Sequence, residues 1–527
     1  MLLKKFPRSF STQAAGSPKL WGGRFSRDTD TSILKWTESI TVDSHMVVED
    51  IWGSMAHVTM LGKQKIIPWE AAAKIVPTLA RFQREYIEGK WKLTAKNEDT
   101  HLNVEGKLIE DLGMDIGGRM HTTRSRNDQV ALDSKLLTRN HLLITREMLV
   151  KAVEAFLEKA YGGLNDVMVS YTHIQHAQPI SVAFWLSDYI AHFTRDLDRL
   201  ERAYDCTDMN PLGAGAIAGS SYPVDRALTS DLLGFQQIQE SCMDAVSNRD
   251  YFLEVSSSLN IFYNKLTRLA EEFIIWCSYE FSSITLDDGF AMGSSMMPQK
   301  KNPGMLELMR GRGGRVQGLN QAAFTMMKGL HSGYNRDFHE DKEITVALFD
   351  ILNRVTEVLP PLIQTTKFNL DRMASLATKN FSAATEVANY LVRDHNVPFR
   401  QAHHIVGSLV GKLYRAGKNF DDFDTCKQHM VESGIKISDA DLKNALDPKH
   451  VMMAYKSFGG TAPEPTKHFL DGIGKTLQKL KKQVEEDRVR VENAHSATKK
   501  IASEIGSVKS YEEYIKVVNK HRPKSLI

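Results

Sequence analysis

The 527-residue chain has little cysteine, little net charge and no long apolar run. Its four cysteines, Cys206, Cys242, Cys277 and Cys426, lie far apart and form no Cys-x-x-Cys pair. That argues against a disulfide scaffold or a cysteine zinc site and fits a reducing compartment. The 67 lysines and arginines face 64 acids, for a formal charge of +3. So even a balance gives no reason to expect nucleic acid or a membrane surface as partner, and any cationic site has to be local. No run is apolar for long enough to span a bilayer. No Walker loop is present, and no Gly-x-Gly-x-x-Gly follows a strand pattern, so no nucleotide cofactor is implied. Gly213-Ala214-Gly215 is glycine-spaced, but Pro211 and Pro223 frame it as a loop.

Two further absences organise the chain. No proline occurs between Pro77 and Pro179, between Pro223 and Pro298, or between Pro303 and Pro360. Three long proline-free spans predict long helices. Within the second, Phe252, Val255, Leu259, Phe262, Leu266, Leu269, Phe273 and Trp276 alternate spacings of 3 and 4, a heptad stripe that has to be buried against other helices. One chain is not expected to supply enough partners, so a bundle shared between subunits is predicted. Residues 1–27 lack Asp and Glu but carry Lys4, Lys5, Arg8, Lys19, Arg24 and Arg27. That composition predicts a transit peptide, with the mitochondrial matrix preferred over plastid or cytoplasm. The coarse division is 1–27 as targeting arm, 28–125 as a smaller N-terminal region, 126–377 as the long-helix centre and 378–527 as a C-terminal helical region.

Four polar islands interrupt the helical pattern. His121-Thr122-Thr123-Arg124-Ser125-Arg126-Asn127-Asp128-Gln129 offers fork-shaped donors for carboxylates, or equally a capping and ion-pair cluster at a helix start. In Tyr171-Thr172-His173-Ile174-Gln175-His176, His173 beside a hydroxyl could be a positioned acid or base. No nearby Cys or Asp completes a ligand set with His176, so no metal is expected. Gly293-Ser294-Ser295-Met296-Met297-Pro298-Gln299-Lys300-Lys301-Asn302-Pro303-Gly304 packs hydroxyls, ammonium groups and an amide into one Gly- and Pro-bounded loop, suited to an anion whose charge grows during reaction. It is not the Gly-x-Ser-x-Gly elbow of a serine hydrolase. The fourth island, Tyr334 to Glu343, has mixed charges at helical spacing, usually a solvated face.

The 293–304 loop closely resembles the GSSxMPxKxNP signature of the fumarase/aspartase superfamily. Together with Leu20-Trp21-Gly22-Gly23-Arg24-Phe25, Glu98-Asp99-Thr100-His101, Thr123-Arg124-Ser125-Arg126-Asn127-Asp128-Gln129 and Ala402-His403-His404-Ile405-Val406-Gly407, it resembles the argininosuccinate lyase family. The resemblance implies a mainly α, three-domain fold with a central long-helix bundle. It also implies a homotetramer whose active sites each draw on three chains. The absence of metal-ligand spacing and of nucleotide loops predicts no metal or organic cofactor. By motif, Ser294 would be the base, His173 the acid, Glu307 its orienting carboxylate and Lys300 the stabiliser of a dianion. Asn127, Thr172 and Asn302 would hold the succinyl carboxylates of argininosuccinate. Ser39, Arg126, Tyr334, His339 and Lys342 would complete the substrate contacts. Several positions depart from the family pattern: Thr123 for a usual Gly, Val169-Ser170 for a usual Pro-Gly, His176 where Arg or Lys is common, His339 for a usual Gln and Gly304 for an acidic residue. The alternatives are a related lyase releasing fumarate from another N-succinyl amine, and a non-catalytic, crystallin-like structural member.

Overall fold

Five long helices among the described residues carry the structure, a computed structural model that describes residues 30–94 and 97–524. The 1–27 arm lies outside the described residues. The helices are α1 Arg126–Gly162, α2 Val182–Thr207, α3 Asp250–Trp276, α4 Gly304–Met327 and α5 Glu340–Thr365. A sixth, α6 Pro463–Ile505, runs back along them.

Local chemistry sets their starts. Ser125 caps α1, accepting from the N–H of Asn127, while its own N–H donates to Asp128, a capping box. Ser181, two residues after Pro179, caps α2 by accepting from the N–H of Phe184. The proline-free spans are helical as expected, but α5 continues through Pro360 and Pro361. Two ladder bonds are lost there, against burial of Leu359, Pro360, Leu362 and Ile363.

Helix directions follow from the side chains that meet. α1 and α5 run parallel: His141 stacks on Phe349 at 4.6 Å, and further along Lys159 Nζ donates to the Thr366 carbonyl at 2.9 Å. α2 is antiparallel to α1, with Phe156 against Tyr189 and Arg146 paired with Glu201. α3 is antiparallel to α2 (Phe193 on Phe262, Trp185 on Trp276). α4 is antiparallel to α3, with Ser256 bonded to Asn320 and Arg310 paired with Glu271.

The heptad stripe of α3 corrects the expectation placed on it. All eight residues are 5% exposed or less within the single chain, because α2, α4 and their neighbours cover them. The uncovered surface is on α4 instead. Only Leu306, Met309, Val316 and Ala323 of its 24 residues are buried, while Leu308 and Phe324 are 56% and 46% exposed. Gly313 lets α4 press against α3, since a Cβ there would lie 2.5 Å from Thr267 Cγ2. Gly311, Gly314 and Gly318 face open space. Each helical glycine costs roughly 1 kcal/mol relative to alanine.

Two short hairpins leave the bundle. β1 Val167–Thr172 pairs antiparallel with β2 Gln175–Ser181, with a bulge between Val169 and Tyr171. β3 Met292–Gly293 pairs with β4 Lys301–Asn302. Buried apolar residues from Ala383 to Val451 form a separate small core. α6 does not join it: Leu470, Leu477, Ile501 and Ile505 belong to the main core. The expected 378–527 region therefore contributes to two cores. No described helix is long and apolar enough to cross a membrane.

Candidate active site

The expected site residues fall at two ends of the bundle. α1 has 37 residues, so its ends stand roughly 55 Å apart at 1.5 Å per residue. At the head lie the starts of α1, α3 and α5, and at the tail the ends of α1 and α3 and the start of α4.

The head gathers Ser39, Arg126, Asn127, Tyr334, His339 and Lys342. Asp43, 0% exposed, is its hub: Ser39 Oγ donates to one carboxylate oxygen at 2.6 Å and Lys342 Nζ to the other at 2.5 Å. Lys342 is itself 2% exposed, so this is a buried ion pair. Next to it, fully buried Arg249 donates to Asp341 at 2.7 Å and stacks on Phe338, which packs edge-on against Tyr334. The fourth island is thus only in part a solvated face: Asp337, Glu340 and Glu343 are exposed, but Phe338, Asp341 and Lys342 are buried, and Arg336, Asp341 and Lys342 pair with other segments. His339 is half-buried. Burial, then the positive charges of Lys342 and Arg336, hold its pKa down to about 4, so its imidazole is neutral near pH 7. Burial pushes the Tyr334 phenol up to about 12.

Within the chain the first island is a capping and ion-pair cluster at the start of α1. Arg126 faces Glu105 at 3.4 Å and Asp99 at 3.7 Å. Asn127 donates to the Ala216 carbonyl at 2.8 Å. Asp128 accepts from the N–H groups of Gly213 and Gly215 at 3.0 and 2.9 Å, both with positive φ, so the Gly-Ala-Gly loop is pinned over the head by a carboxylate. Thr123 holds a left-handed φ of 67°.

Behind this wall sits a group the sequence reading missed as a site. His101 Nε2 bonds Asp133 at 2.8 Å, its Nδ1 faces Asp99 at 3.6 Å, and Asp50 lies 3.9 Å away. Burial alone lowers the His101 pKa, but the bonds to Asp133 and Asp99 outweigh it and raise it to about 10. Burial and the neighbouring Asp50 push Asp133 up to about 7. Asp50, His101 and Asp133 could by distance hold a metal ion. The proton on His101 and the buried Arg124 guanidinium, bonded to Ser54, already supply the positive charge there. The visible signal was the acid-rich run Glu98-Asp99-Thr100-His101. Arg336, which bonds Glu98 and the Thr37 carbonyl, lay within the fourth island, whereas Asp43 carried no signal.

The tail holds Thr172, His173, Ser294, Lys300, Asn302 and Glu307. Tyr171 of the β1–β2 hairpin packs on Phe281, just ahead of the Ser294 loop. His173 is exposed at the hairpin tip, with φ of 56°. Ser294 is half-buried, and its Oγ accepts from the N–H groups of Met296 at 3.3 Å and Met297 at 3.0 Å. Two such donors favour negative charge on that oxygen. Lys300 is exposed in the same loop, Asn302 closes it in β4, and Glu307 stands exposed in the first turn of α4. Within the chain no hydrogen bond or ion pair joins His173, Ser294, Lys300 or Glu307 to one another. Asn127 is at the opposite end from Thr172 and Asn302, so one chain does not bring together the three residues expected to hold carboxylates.

Residues 23–318 match the profile of the family described as lyase, and residues 381–453 that of the argininosuccinate lyase C-terminal family. Argininosuccinate lyase of Listeria monocytogenes serotype 4b (strain CLIP80459) is 42% identical over 462 residues, 87% of this chain and 100% of its own. That of Carboxydothermus hydrogenoformans is 43% identical over 449 residues, 85% and 97% of the two chains. EDDS lyase in complex with formate superposes with a TM-score of 0.79 at 28% identity, over 92% of this chain and 94% of that one. Fumarate lyase:delta crystallin from Brucella melitensis shares the fold, at a TM-score of 0.66 and 18% identity over 79% and 92%. These relatives correct one expectation. The argininosuccinate lyases of Listeria and Carboxydothermus are bacterial, from cells without mitochondria, and a transit peptide and mitochondrial matrix location are not supported. The family profile covers more than half of the chain, and the Listeria relative aligns over its whole length. The chain belongs to the argininosuccinate lyase family of carbon–nitrogen lyases.

Proposed function

We propose that the chain cleaves argininosuccinate reversibly into arginine and fumarate, as a homotetramer whose active sites each join the head of one copy to tail elements of others. The observation that carries the assembly is the split itself. The substrate-holding group at the head and the proton-moving group at the tail sit roughly 55 Å apart, the length of α1 at 1.5 Å per residue. Helices packed antiparallel between copies would bring a tail to each head. The uncovered, glycine-bearing face of α4 is the surface for that packing.

In such a site Ser294 takes the proton from the carbon next to a succinyl carboxylate. The electron pair moves into that carboxylate, giving a dianion that Lys300 and the loop N–H groups stabilise. The carbon–nitrogen bond then breaks as the carbon–carbon double bond forms, and His173, oriented by Glu307, protonates the leaving guanidinium nitrogen. Asn127, Thr172 and Asn302 hold the carboxylates, while Ser39, Arg126, Tyr334, His339 and Lys342 hold the rest of the substrate. No cofactor has a step in this scheme. The test is fumarate release from argininosuccinate, followed by absorbance. A purified tetramer that releases none would overturn it, as would one equally active on an unrelated N-succinyl amine.

A further inference from the structure

The β1–β2 hairpin carries His173 at its tip, where His173 and Ile174 both adopt left-handed backbone, with φ of 56° and 59°. For non-glycine residues that conformation costs roughly 1–2 kcal/mol each, so the tip's shape has to be imposed from elsewhere. The strand ladder does only part of this, because it breaks at the bulge between Val169 and Tyr171. Ser170 fills the gap. Its hydroxyl donates to the Gln178 carbonyl at 2.7 Å and accepts from the Gln178 N–H at 3.0 Å.

Gln178, fixed in this way, points its amide outward. Its Nε2 donates to the Tyr455 hydroxyl at 3.0 Å. Tyr455 follows the helix Pro448–Ala454 and belongs to the small C-terminal core. Its hydroxyl lies next to the carboxylate of Glu386, which is 6% exposed and held by Arg393 at 3.1 Å and Asn389 at 3.3 Å. Burial and the neighbouring carboxylate raise the phenol's pKa, so it keeps its proton, and the oxygen's lone pair accepts from Gln178. Gln178 donates toward Tyr455, while Arg393 and Asn389 donate to Glu386 from the other side, so the carboxylate is the acceptor on which the line ends. A second, independent fastening holds the hairpin's base, where Ser181 N–H donates to Thr461 Oγ1 at 2.9 Å.

We propose that Tyr455 is a positioning residue: through Gln178 it ties the C-terminal unit to the hairpin and sets where His173 stands during proton transfer. This rests on the reading of His173 as the acid. Tyr455 touches no reacting atom, and its hydroxyl is dispensable for docking because the Ser181–Thr461 bonds remain without it.

The experiment uses the full chain with Tyr455→Phe, His173→Asn and the double variant, all assayed for fumarate release. Tyr455→Phe is expected to lower kcat roughly 10-fold, within the 10²-fold that about 1 Å of misplacement can cost. KM and melting temperature should stay near wild type. In the His173→Asn background the same change should cost nothing more, because its effect passes through His173. Hydrogen exchange over residues 168–182 should quicken in Tyr455→Phe while the α3 core stays protected. Full kcat in Tyr455→Phe, or losses that multiply in the double variant, would overturn the positioning role. If His173→Asn itself keeps wild-type kcat, the reaction reading falls instead. The exchange measurement then decides the tether alone, and a hairpin no faster than wild type removes it.

Discussion

The head and the tail of the bundle are built on opposite principles. At the head, charges are buried and paired within one chain: Lys342 on Asp43, Arg249 on Asp341, His101 between Asp133 and Asp99. At the tail, Lys300 and Glu307 stand exposed, and His173 rides a hairpin tip. A buried charge pair has to be exact in geometry or it destabilises the fold, so the head is rigid before any substrate arrives. Exposed groups on loops add little to stability and stay free to meet a partner surface. The two ends therefore answer to different forces, the head to folding and the tail, in the proposed reading, to assembly and chemistry.

Mutation of each end should separate these forces most widely. Ser294→Ala should lower kcat by roughly 10²–10⁴-fold, the range for a lost proton-transfer group, with melting temperature unchanged because the side chain fills no core. Lys342→Met should do the reverse to the fold. It strands Asp43 as a buried, unpaired carboxylate and should cost roughly 3–5 kcal/mol of stability. Mixed and refolded together, the two inactive variants should regain activity that neither has alone, since one copy supplies an intact head and another an intact tail. Equal thermal loss in both variants, or no recovery on mixing, would erase the distinction between the ends.

A pH series sharpens the same contrast with a smaller effect. His101 binds its proton more tightly in the folded state, with a pKa raised from 6.5 to about 10. Its stabilisation is complete below about pH 6.5 and is lost as the pH rises toward 10. Asp133, raised from 3.8 to about 7, acts in the same direction over a lower window. His57, lowered to about 3, opposes them: it is neutral when folded, so its contribution is lost as the pH falls below 6.5. Above pH 7, His101 stands alone of these three. Melting temperature should decline from pH 7 to 10 in the wild type, and His101→Gln should flatten that decline. A decline that survives the substitution would place the titration elsewhere.

How much of this was legible depended on whether the signal was local. The long helices were, because proline absence and 3–4 spacing are properties of one segment. So was the Ser294 loop, since glycine and proline mark its ends. The His173 hairpin was not. Its turn uses His-Ile at positive φ where Asn-Gly is the usual mark, and Val167–Thr172 looked like a break between helices. The fate of the α3 stripe was illegible for a different reason. A heptad pattern says that a face is buried but not whether its cover comes from the same chain. Asp43 was missed because one Asp in a short polar run looks like any other. It becomes a hub only when Lys342, distant in sequence, is folded onto it.

The smallest predicted effect tests whether the head is strained as well as rigid. Thr123 holds φ of 67°, and its Oγ1 is buried without a hydrogen bond. Left-handed backbone costs a β-branched residue roughly 1–2 kcal/mol, and glycine almost none. A buried, unpaired hydroxyl adds a further cost of roughly 1 kcal/mol or more. Against this, Thr123→Gly gives the unfolded chain more freedom, worth up to about 1 kcal/mol. The balance favours the glycine, by about 1 kcal/mol, and thermal melts of the two proteins measure it. Because Thr123 precedes Arg124 and the α1 cap, the backbone it strains also aims Arg126 and Asn127. Unchanged KM in the stabilised variant would mean that this strain is incidental. A raised KM would mean that the strained turn helps aim Arg126 and Asn127 at the substrate, a role that no exposed group at the tail has in the isolated chain.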